Sequence, residues 1–584
     1  MATGNAESSP SSSLGSSRLL VGLAQGCATL LLVKAGETHA WPATELWLFA
    51  SLIAFVALVP PTVLTGLGQM RVVMLSVWTI LATACVVYVA YHGVTRETVP
   101  FGDSTGLAML LLAGALFVAY HLVAAAGQDR WPVANYQTYF DIGWKNGVQL
   151  ALSLLFTGAF WLLLFLGAAL FNLIKVDFVS DLIGRDWFIY PVTAIVFSLA
   201  VHVSDMRVGL IAGARALALM LLSWLLPVMT LFAVAFLCTL PFVGLQLLWD
   251  TGSATTLLLI SAVVLVVLIN AAYQHGDPEA MPHVILRVAA RFAGLALLAI
   301  VAIAAYSIWL RIDQHGLTPE RVLAAAFVAV AMCYGVGYAI AALWPGRWMR
   351  PLETTNIIAA ILMTVLAVSL LTPVADPARI AVSDQVRRLQ TGIVPVDKFD
   401  FNFFRFQAAR YGVEALKRLA ADKSSQRAQA IAAKSEEALA RKAPSPAKPD
   451  LSPRDRLAQI TVYPKGAQLP ESFLAQDWSK VHFSPADCAL VNSGEASCEA
   501  FLADFDGDGV LEVMTGNRYR LNVWRLSVEK IWTLIGAIEP SQCDDVQGRR
   551  LLEGLRAGRF KAVQPAFQDL EIDGRRFRLQ GCVQ

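Results

Sequence analysis

Charge is scarce in this chain. Of 584 residues, 15% are Asp, Glu, Lys or Arg and 56% are hydrophobic, where a soluble globular chain carries about 25% charged and 45–50% apolar. The two signs nearly cancel, with 46 basic against 44 acidic residues. No basic stripe interleaved with aromatics occurs, which speaks against a nucleic-acid partner. Catalytic signatures are missing too. There is no Walker loop, no GxSxG elbow, no HExxH zinc motif and no dinucleotide-binding glycine pattern. His482 is the only histidine in the last two hundred residues, which leaves little there for nucleophilic catalysis. The reading leans away from an enzyme.

Long apolar runs are what the chain has instead. They fall at residues 19–33, 46–67, 72–91, 107–126, 148–171, 188–203, 216–240, 254–272, 292–310, 322–343 and 355–371. About 20 apolar residues cross a bilayer core, and in hydrocarbon each segment must satisfy its own backbone, so these runs read as helices. Residues 18–374 are therefore expected to form an all-α polytopic membrane helical bundle of about eleven spans. Residues 1–17, rich in Ser, Gly and Ala, read as disordered. The run after Arg18 has no basic cluster before it and no clean cleavage site, so it reads as a retained first helix, not a signal peptide.

Basic residues set the orientation. One set of alternate loops and span ends holds Arg18, Arg71, Arg130, Lys145, Arg207, Arg215, Arg287, Arg291, Arg347 and Arg350. The other holds Lys34, Arg96, Lys175, Arg185, Arg311 and Arg321, and is the more acidic. The richer set is assigned to the cytoplasm of a bacterial inner membrane. Eleven spans then leave everything past residue 371 in the periplasm. There, Ile380, Val386 and Leu389 recur near helical spacing among charges, as in a surface helix lying at the membrane. A second helix is expected over 403–441, a Pro-rich linker over 443–456, and a small exported α+β domain over 457–584.

Several stretches resemble one family. They are Trp161-Leu-Leu-Leu-Phe-Leu-Gly-Ala-Ala-Leu-Phe171, Leu248-Trp-Asp-Thr-Gly252 with Asn270, and Arg311-Ile-Asp-Gln-His-Gly-Leu-Thr-Pro-Glu-Arg321. A further one, Asp384-Gln-Val-Arg-Arg-Leu-Gln-Thr-Gly392, runs on to Phe399-Asp400 and Tyr411-Gly412. Over residues 40–420 the chain is similar to the uncharacterised bacterial membrane proteins catalogued as domain of unknown function 4153. The resemblance implies an inner-membrane protein with periplasmic C-terminal helices. It brings no activity and no catalytic residues.

Four groups of side chains are candidate sites. Asp205, Arg215, Arg287 and Arg291 fall near the cytoplasmic ends of spans and compose a possible anion or lipid-headgroup site; the competing reading is interfacial snorkelling. Arg311, Gln314 and Arg321 flank a turn in which Gly316 suits a helix C-cap, Thr318 an N-cap and Pro319 a first turn. The two arginines there could also grip a phosphate or an acidic partner. Cys488, Cys498, Cys543 and Cys582 are an even set confined to the exported part, which suggests disulfides, expected as 488–498 and 543–582. Asp504, Asp506 and Asp508, with the Val510 carbonyl and Glu512, have the spacing of a Ca²⁺ loop, and Gly509 stands at its sharp turn. A metal-free acidic turn is the alternative.

The expectation is a non-enzymatic scaffold or sensor in the inner membrane that presents a disulfide-bonded, Ca²⁺-binding periplasmic domain. Its partners would be the lipid bilayer and an envelope protein. A transporter or lipid-handling protein with a site between the helices is second, and a membrane transferase third.

Overall fold

A computed structural model of the chain describes residues 10–97, 104–244, 254–277, 281–441, 453–458, 460–478, 485, 498–504, 507–517, 520–527, 530–538, 545–559, 570–572 and 575–577. The chain divides into two units, Met1–Pro444 and Ser445–Gln584.

The first unit is helical, and 11 of its described helices are long and apolar enough to cross a membrane. These are α1 (Pro10–Thr38), α2 (Leu46–Gly66), α3 (Val72–Arg96), α4 (Ser104–Asp129), α5 (Tyr136–Leu173), α7 (Asp186–Met206), α8 (Val208–Val243), α9 (Ala254–Tyr273), α10 (Val284–His315), α11 (Pro319–Leu343) and α12 (Pro351–Leu370). Short α6 (Phe178–Ile183) joins α5 to α7. The chain is an integral membrane protein by these helices, and their outward faces are apolar: Leu155 and Leu162 are each about 70% exposed. Alternating spans put the start of α1 and the connections after α2, α4, α7, α9 and α11 on one side, here the N-terminal side. The other connections and everything after α12 lie on the opposite side.

Two sequence expectations are corrected here. Helix begins at Pro10, not after residue 17, because Arg18 and its turn pack inside the bundle. The fifth span begins at Tyr136, twelve residues before the apolar run, so Asp141 and Lys145 ride on α5 itself. Close packing holds α1 on α7. A Cβ added at Gly26 would stand 2.5 Å from the Pro191 Cα, so only glycine fits there. One core joins α2, α3 and α4 around Trp78, Val86 and Leu116. A larger one joins the start of α5 to α8–α12 around Leu226, Leu265, Leu297 and Tyr338.

Beyond α12 the chain makes a helical layer: α13 (Pro377–Thr391), α14 (Phe401–Phe406), α15 (Ala409–Ala421) and α16 (Gln426–Ala440). The single helix expected over 403–441 is broken twice. At Gln407–Ala408 the chain folds back so tightly that a Cβ on Gly412 would meet the Phe404 carbonyl oxygen. After Asp422, whose carboxylate accepts from the Ser424 amide, Ser425 caps α16. Phe404, Leu416, Leu389 and Ile431 form the layer's own core.

The second unit holds a five-stranded sheet in the order β1 (Thr461–Tyr463), β2 (Glu499–Ala503), β3 (Glu512–Gly516), β4 (Leu521–Leu526), β5 (Trp532–Ile538). β1 and β2 are parallel and the remaining pairs antiparallel. Strand alternation gives the sheet two apolar faces. Val513, Trp524 and Trp532 pack on Phe473 and Trp478. Phe501, Met514 and Leu521 pack on Leu552 and Leu555 of α17 (Asp545–Arg556).

Candidate functional site

The four residues expected to share an anion site do not share one. Asp205, at the end of α7, is taken by Arg18 and Lys145. Arg18 Nη2 donates to Asp205 Oδ2 at 2.8 Å and to the Leu67 carbonyl at 2.7 Å, and Lys145 Nζ lies 2.9 Å from Oδ1. Arg18 is fully buried, so this carboxylate is what keeps a guanidinium tolerable inside the bundle. Arg215 is taken by Asp141, whose Oδ1 also meets His275 Nε2, both at 2.6 Å, while the guanidinium lies over Phe140. Arg287 and Arg291 make no ion pair among the described residues; Arg287 Nε is buried without a hydrogen-bond partner, and Arg291 is exposed. Sequence reading counted Arg18 and Lys145 as topology signals only. Their shared acid is 187 residues away from the first.

Beside the Arg18 node a polar chain links α4, α5 and the turn after α2. His121 Nδ1 lies 2.6 Å from the Phe117 carbonyl, an acceptor, so that nitrogen carries the proton. Nε2 then accepts from Asn146, whose Oδ1 accepts from Gln69.

A second network lies within the large core. Tyr136 (α5) donates to Asn270 Oδ1 (α9), Asn270 Nδ2 to Tyr338 (α11), and Tyr338 to Asn356 Oδ1 (α12) at 3.2, 2.7 and 2.7 Å. Asn356 Nδ2 closes the ring on Asn270 Oδ1 at 2.7 Å. Four helices are pinned by groups that satisfy one another, which is the condition for a polar network in an apolar core. The sequence signal was present as Asn270 and Asn356 in otherwise apolar runs. Which residues they meet is a tertiary fact.

On the opposite side α13 is bolted to the spans. Asp376 caps α13 by accepting the Ala378 amide at 2.9 Å, and is buried against His92 at 3.0 Å and Arg96 at 3.3 Å. Burial raises this carboxyl's pKa, but the bond to His92 and the Arg96 charge outweigh it and hold it below the usual value. Further along α13, Asp384 Oδ2 accepts the Leu317 amide at 2.9 Å. Gln385 donates to the His315 and Leu317 carbonyls, and Arg388 to those of Ile312 and Asp313 at 2.7 and 3.0 Å. Arg388 also pairs with Asp384 at 3.1 Å. For Asp384 burial again pushes up, and the bonds from Arg387 and Leu317 and the guanidinium charges bring it below the carboxylate norm. Gly316 is required here. Its φ is +76°, and a Cβ would stand 2.7 Å from Gln385 Nε2. As expected, it C-caps α10, and Thr318 caps α11. Arg321 donates to the Gly316 carbonyl at 2.7 Å and Gln314 is exposed. The acid this turn engages is Asp384, with Arg388 clasping its carbonyls.

The family model described as "Domain of unknown function (DUF4153)" matches residues 30–419. The chain belongs to the DUF4153 family. No curated protein and no solved structure matches it. The DUF4153 stretches Arg311–Arg321 and Asp384–Gly392 are the two halves of the clamp just described. Asn270 sits in the asparagine–tyrosine ring, and Asp400 caps α14. The stretch 248–252 lies outside the described residues. The match ends before the second unit, so the acidic loop and the last four cysteines lie outside the matched DUF4153 residues.

That loop joins β2 to β3. Asp504 accepts from the amides of Gly507 and Gly509 at 2.7 and 3.0 Å, and Asp508 from that of Val510 at 2.8 Å. Glu512 opens β3 with its side chain buried. Arg525, on β4, stands 3.2 Å from Asp508 and 4.0 Å from Glu512. A guanidinium therefore already neutralises part of the acidic cluster. Asp506 lies outside the described residues, as do Cys488, Cys543 and Cys582; Cys498 is buried beside the sheet core. The cysteines of the spans, Cys27, Cys85, Cys238 and Cys333, are free thiols.

Proposed function

We propose that this DUF4153 protein is a bacterial inner-membrane scaffold or sensor that holds a helical layer at the periplasmic surface and, through it, presents the C-terminal α+β unit to an envelope partner. The observation that carries this is the clamp. The last span passes through Asp376 into α13, and α13 is fixed to α3 and to the α10–α11 turn through buried charges and five backbone groups. Such a joint transmits force between membrane helices and layer instead of letting the layer swing. The basic excess of the N-terminal side supports the cytoplasmic assignment of that side.

Ca²⁺ at the β2–β3 loop and disulfides among the four last cysteines belong to the same reading. The paired glycine amides on Asp504 leave a compact acidic turn, and the 504/506/508 spacing suits a weak extracellular Ca²⁺ site. Millimolar Ca²⁺ should then slow proteolysis of residues 453–584 in the full-length protein, and Asp504→Ala should abolish that protection.

The test of the main reading is a pair of fusions after residue 452. Alkaline phosphatase should be active there and green fluorescent protein dark. Fluorescence without phosphatase activity would overturn the orientation and with it the presentation role.

A further inference from the structure

We propose that Arg287 and Arg291 bind the phosphate of an anionic phospholipid at the N-terminal-side rim of α8 and α10. The first point is charge. Of the other basic residues assigned to this side, Arg18, Lys145 and Arg215 are held by acids, Arg347 donates to the Gly276 carbonyl, and Arg71, Arg130, Arg207 and Arg350 stand exposed at turns and helix ends. Arg287 and Arg291 pair with no acid among the described residues, and one buried nitrogen, Arg287 Nε, lacks any partner. They are four apart, so they stand one above the other on one helix face.

The second point is depth. Thr255, at the start of α9, meets Ser307 of α10 at 2.9 Å. The helices run antiparallel, and α9 is a 20-residue span, so its last residue, Tyr273, falls opposite Ala289. Arg287 thus lies just outside the apolar slab set by α9 and Arg291 just inside it. Each residue is a rise of about 1.5 Å, which puts both guanidinium groups at headgroup and ester depth.

The third point is surroundings. Ile285, Val288 and Phe292 beside them are about half exposed, a surface suited to acyl chains. α8 closes the site's edge: Thr230 reaches the Ala289 carbonyl at 3.4 Å, and half-exposed Trp224 lies 6.1 Å from the His283 ring that caps α10. Two forked donors at the level of the phosphates, with an aromatic at the rim, match a phosphodiester; a zwitterionic headgroup brings its own ammonium and gains less.

The experiment uses the full-length protein, stripped of lipid in detergent and titrated with phosphatidylglycerol, phosphatidylcholine or inorganic phosphate, with thermal shift and native mass spectrometry as readouts. Phosphatidylglycerol should bind more tightly than phosphatidylcholine. Arg287→Gln with Arg291→Gln should weaken binding roughly thirty-fold, about five- to six-fold for each arginine near an anionic surface. Arg71→Gln with Arg207→Gln removes the same charge from exposed loops of the same side and should leave affinity unchanged. Should the first double variant fail to fold, Arg291→Gln alone carries the test at five- to six-fold. Unchanged binding in the rim variants, equal loss in the loop variant, equal affinity for phosphatidylcholine, or complete competition by millimolar phosphate would each overturn the site.

Discussion

On the N-terminal side, Asp205 meets Arg18 and Lys145 while Asp141 meets Arg215 and His275; on the opposite side, Asp376 meets His92 and Arg96 while Asp384 meets Arg387 and Arg388. The residue types are the same. What differs is completion. The opposite-side acids also accept backbone amides of Ala378 and Leu317 and lie under a helical layer built by the same chain. The N-terminal-side acids accept from side chains, Asp141 stays half exposed, and Arg287 and Arg291 at the rim pair with no acid among the described residues. The Asp376 and Asp384 nodes are thus closed by their own polypeptide, and the N-terminal side keeps cationic capacity for whatever borders it. A buried charge is tolerable only when paired and hydrogen-bonded, so the closed nodes should be the ones that break hardest.

The sharpest form of the comparison is one substitution made on both sides. Asp376→Ala strips His92 and Arg96 of a buried anion and uncaps α13, and should cost about 3–5 kcal/mol. Asp141→Ala removes a half-exposed acid and should cost under about 1 kcal/mol. Asp376→Asn keeps the cap and should fall between. Thermal unfolding in detergent, with proteolysis of residues 376–441 as a local probe, reads all three. Equal losses at 376 and 141 would erase the distinction between the sides.

Acid should separate them next. Asp376 and Asp384 both titrate below the ordinary carboxylate value of 3.8. A carboxyl depressed by folding contributes stability that is full above its unfolded value and is lost as pH falls through the folded one. The helical layer should therefore keep constant protease resistance from pH 8 to 5 and lose it below about pH 4. Asp384→Asn should lower the plateau by about 1–3 kcal/mol, since its amide oxygen retains one acceptor but no charge. Release of the layer near pH 6 would show that other groups hold it.

How much of this was written in the sequence depends on the distance over which each feature is decided. Apolar runs of about 20 residues announce spans by themselves, and Gly316, Thr318 and Pro319 announce their turn because capping is a local matter. The Arg311–Arg321 stretch was legible as a turn and illegible as a socket: its ligand, Asp384, is 67 residues from Leu317. Arg18 looked like a flank because an arginine before an apolar run usually is one; only α7 arriving with Asp205 turns it into a buried node. The break before Gly412 was missed because the window 403–441 is rich in helix formers, and packing of α15 on α14 overrides that preference. The acidic loop was legible as a Ca²⁺-type spacing; that Arg525 of β4 stands beside its Asp508 was not, because strand pairing, not loop spacing, put it there.

The smallest expected effect tests whether the polar ring of the large core behaves like the closed nodes or like the N-terminal side. Tyr338→Phe removes the hydroxyl that accepts from Asn270 and donates to Asn356. In water-excluded surroundings, leaving two amides short of a partner would be expected to cost about 1–3 kcal/mol. Two facts reduce that figure. Asn356 Nδ2 still reaches Asn270 Oδ1 at 2.7 Å, and Asn270 Nδ2 keeps the Val266 carbonyl at 2.9 Å, so each amide retains a bond. Helices separated within a bilayer also find other partners, and side-chain hydrogen bonds between membrane helices average about 0.6 kcal/mol. Tyr338→Phe should accordingly cost about 0.6 kcal/mol, while Asn270→Leu, which removes the hub of the ring and its acceptor for Tyr136, should cost more. Unfolding in mixed micelles resolves the two. A loss above about 2 kcal/mol for Tyr338→Phe would place the ring with the Asp376 node, as a lock whose members cannot substitute for one another.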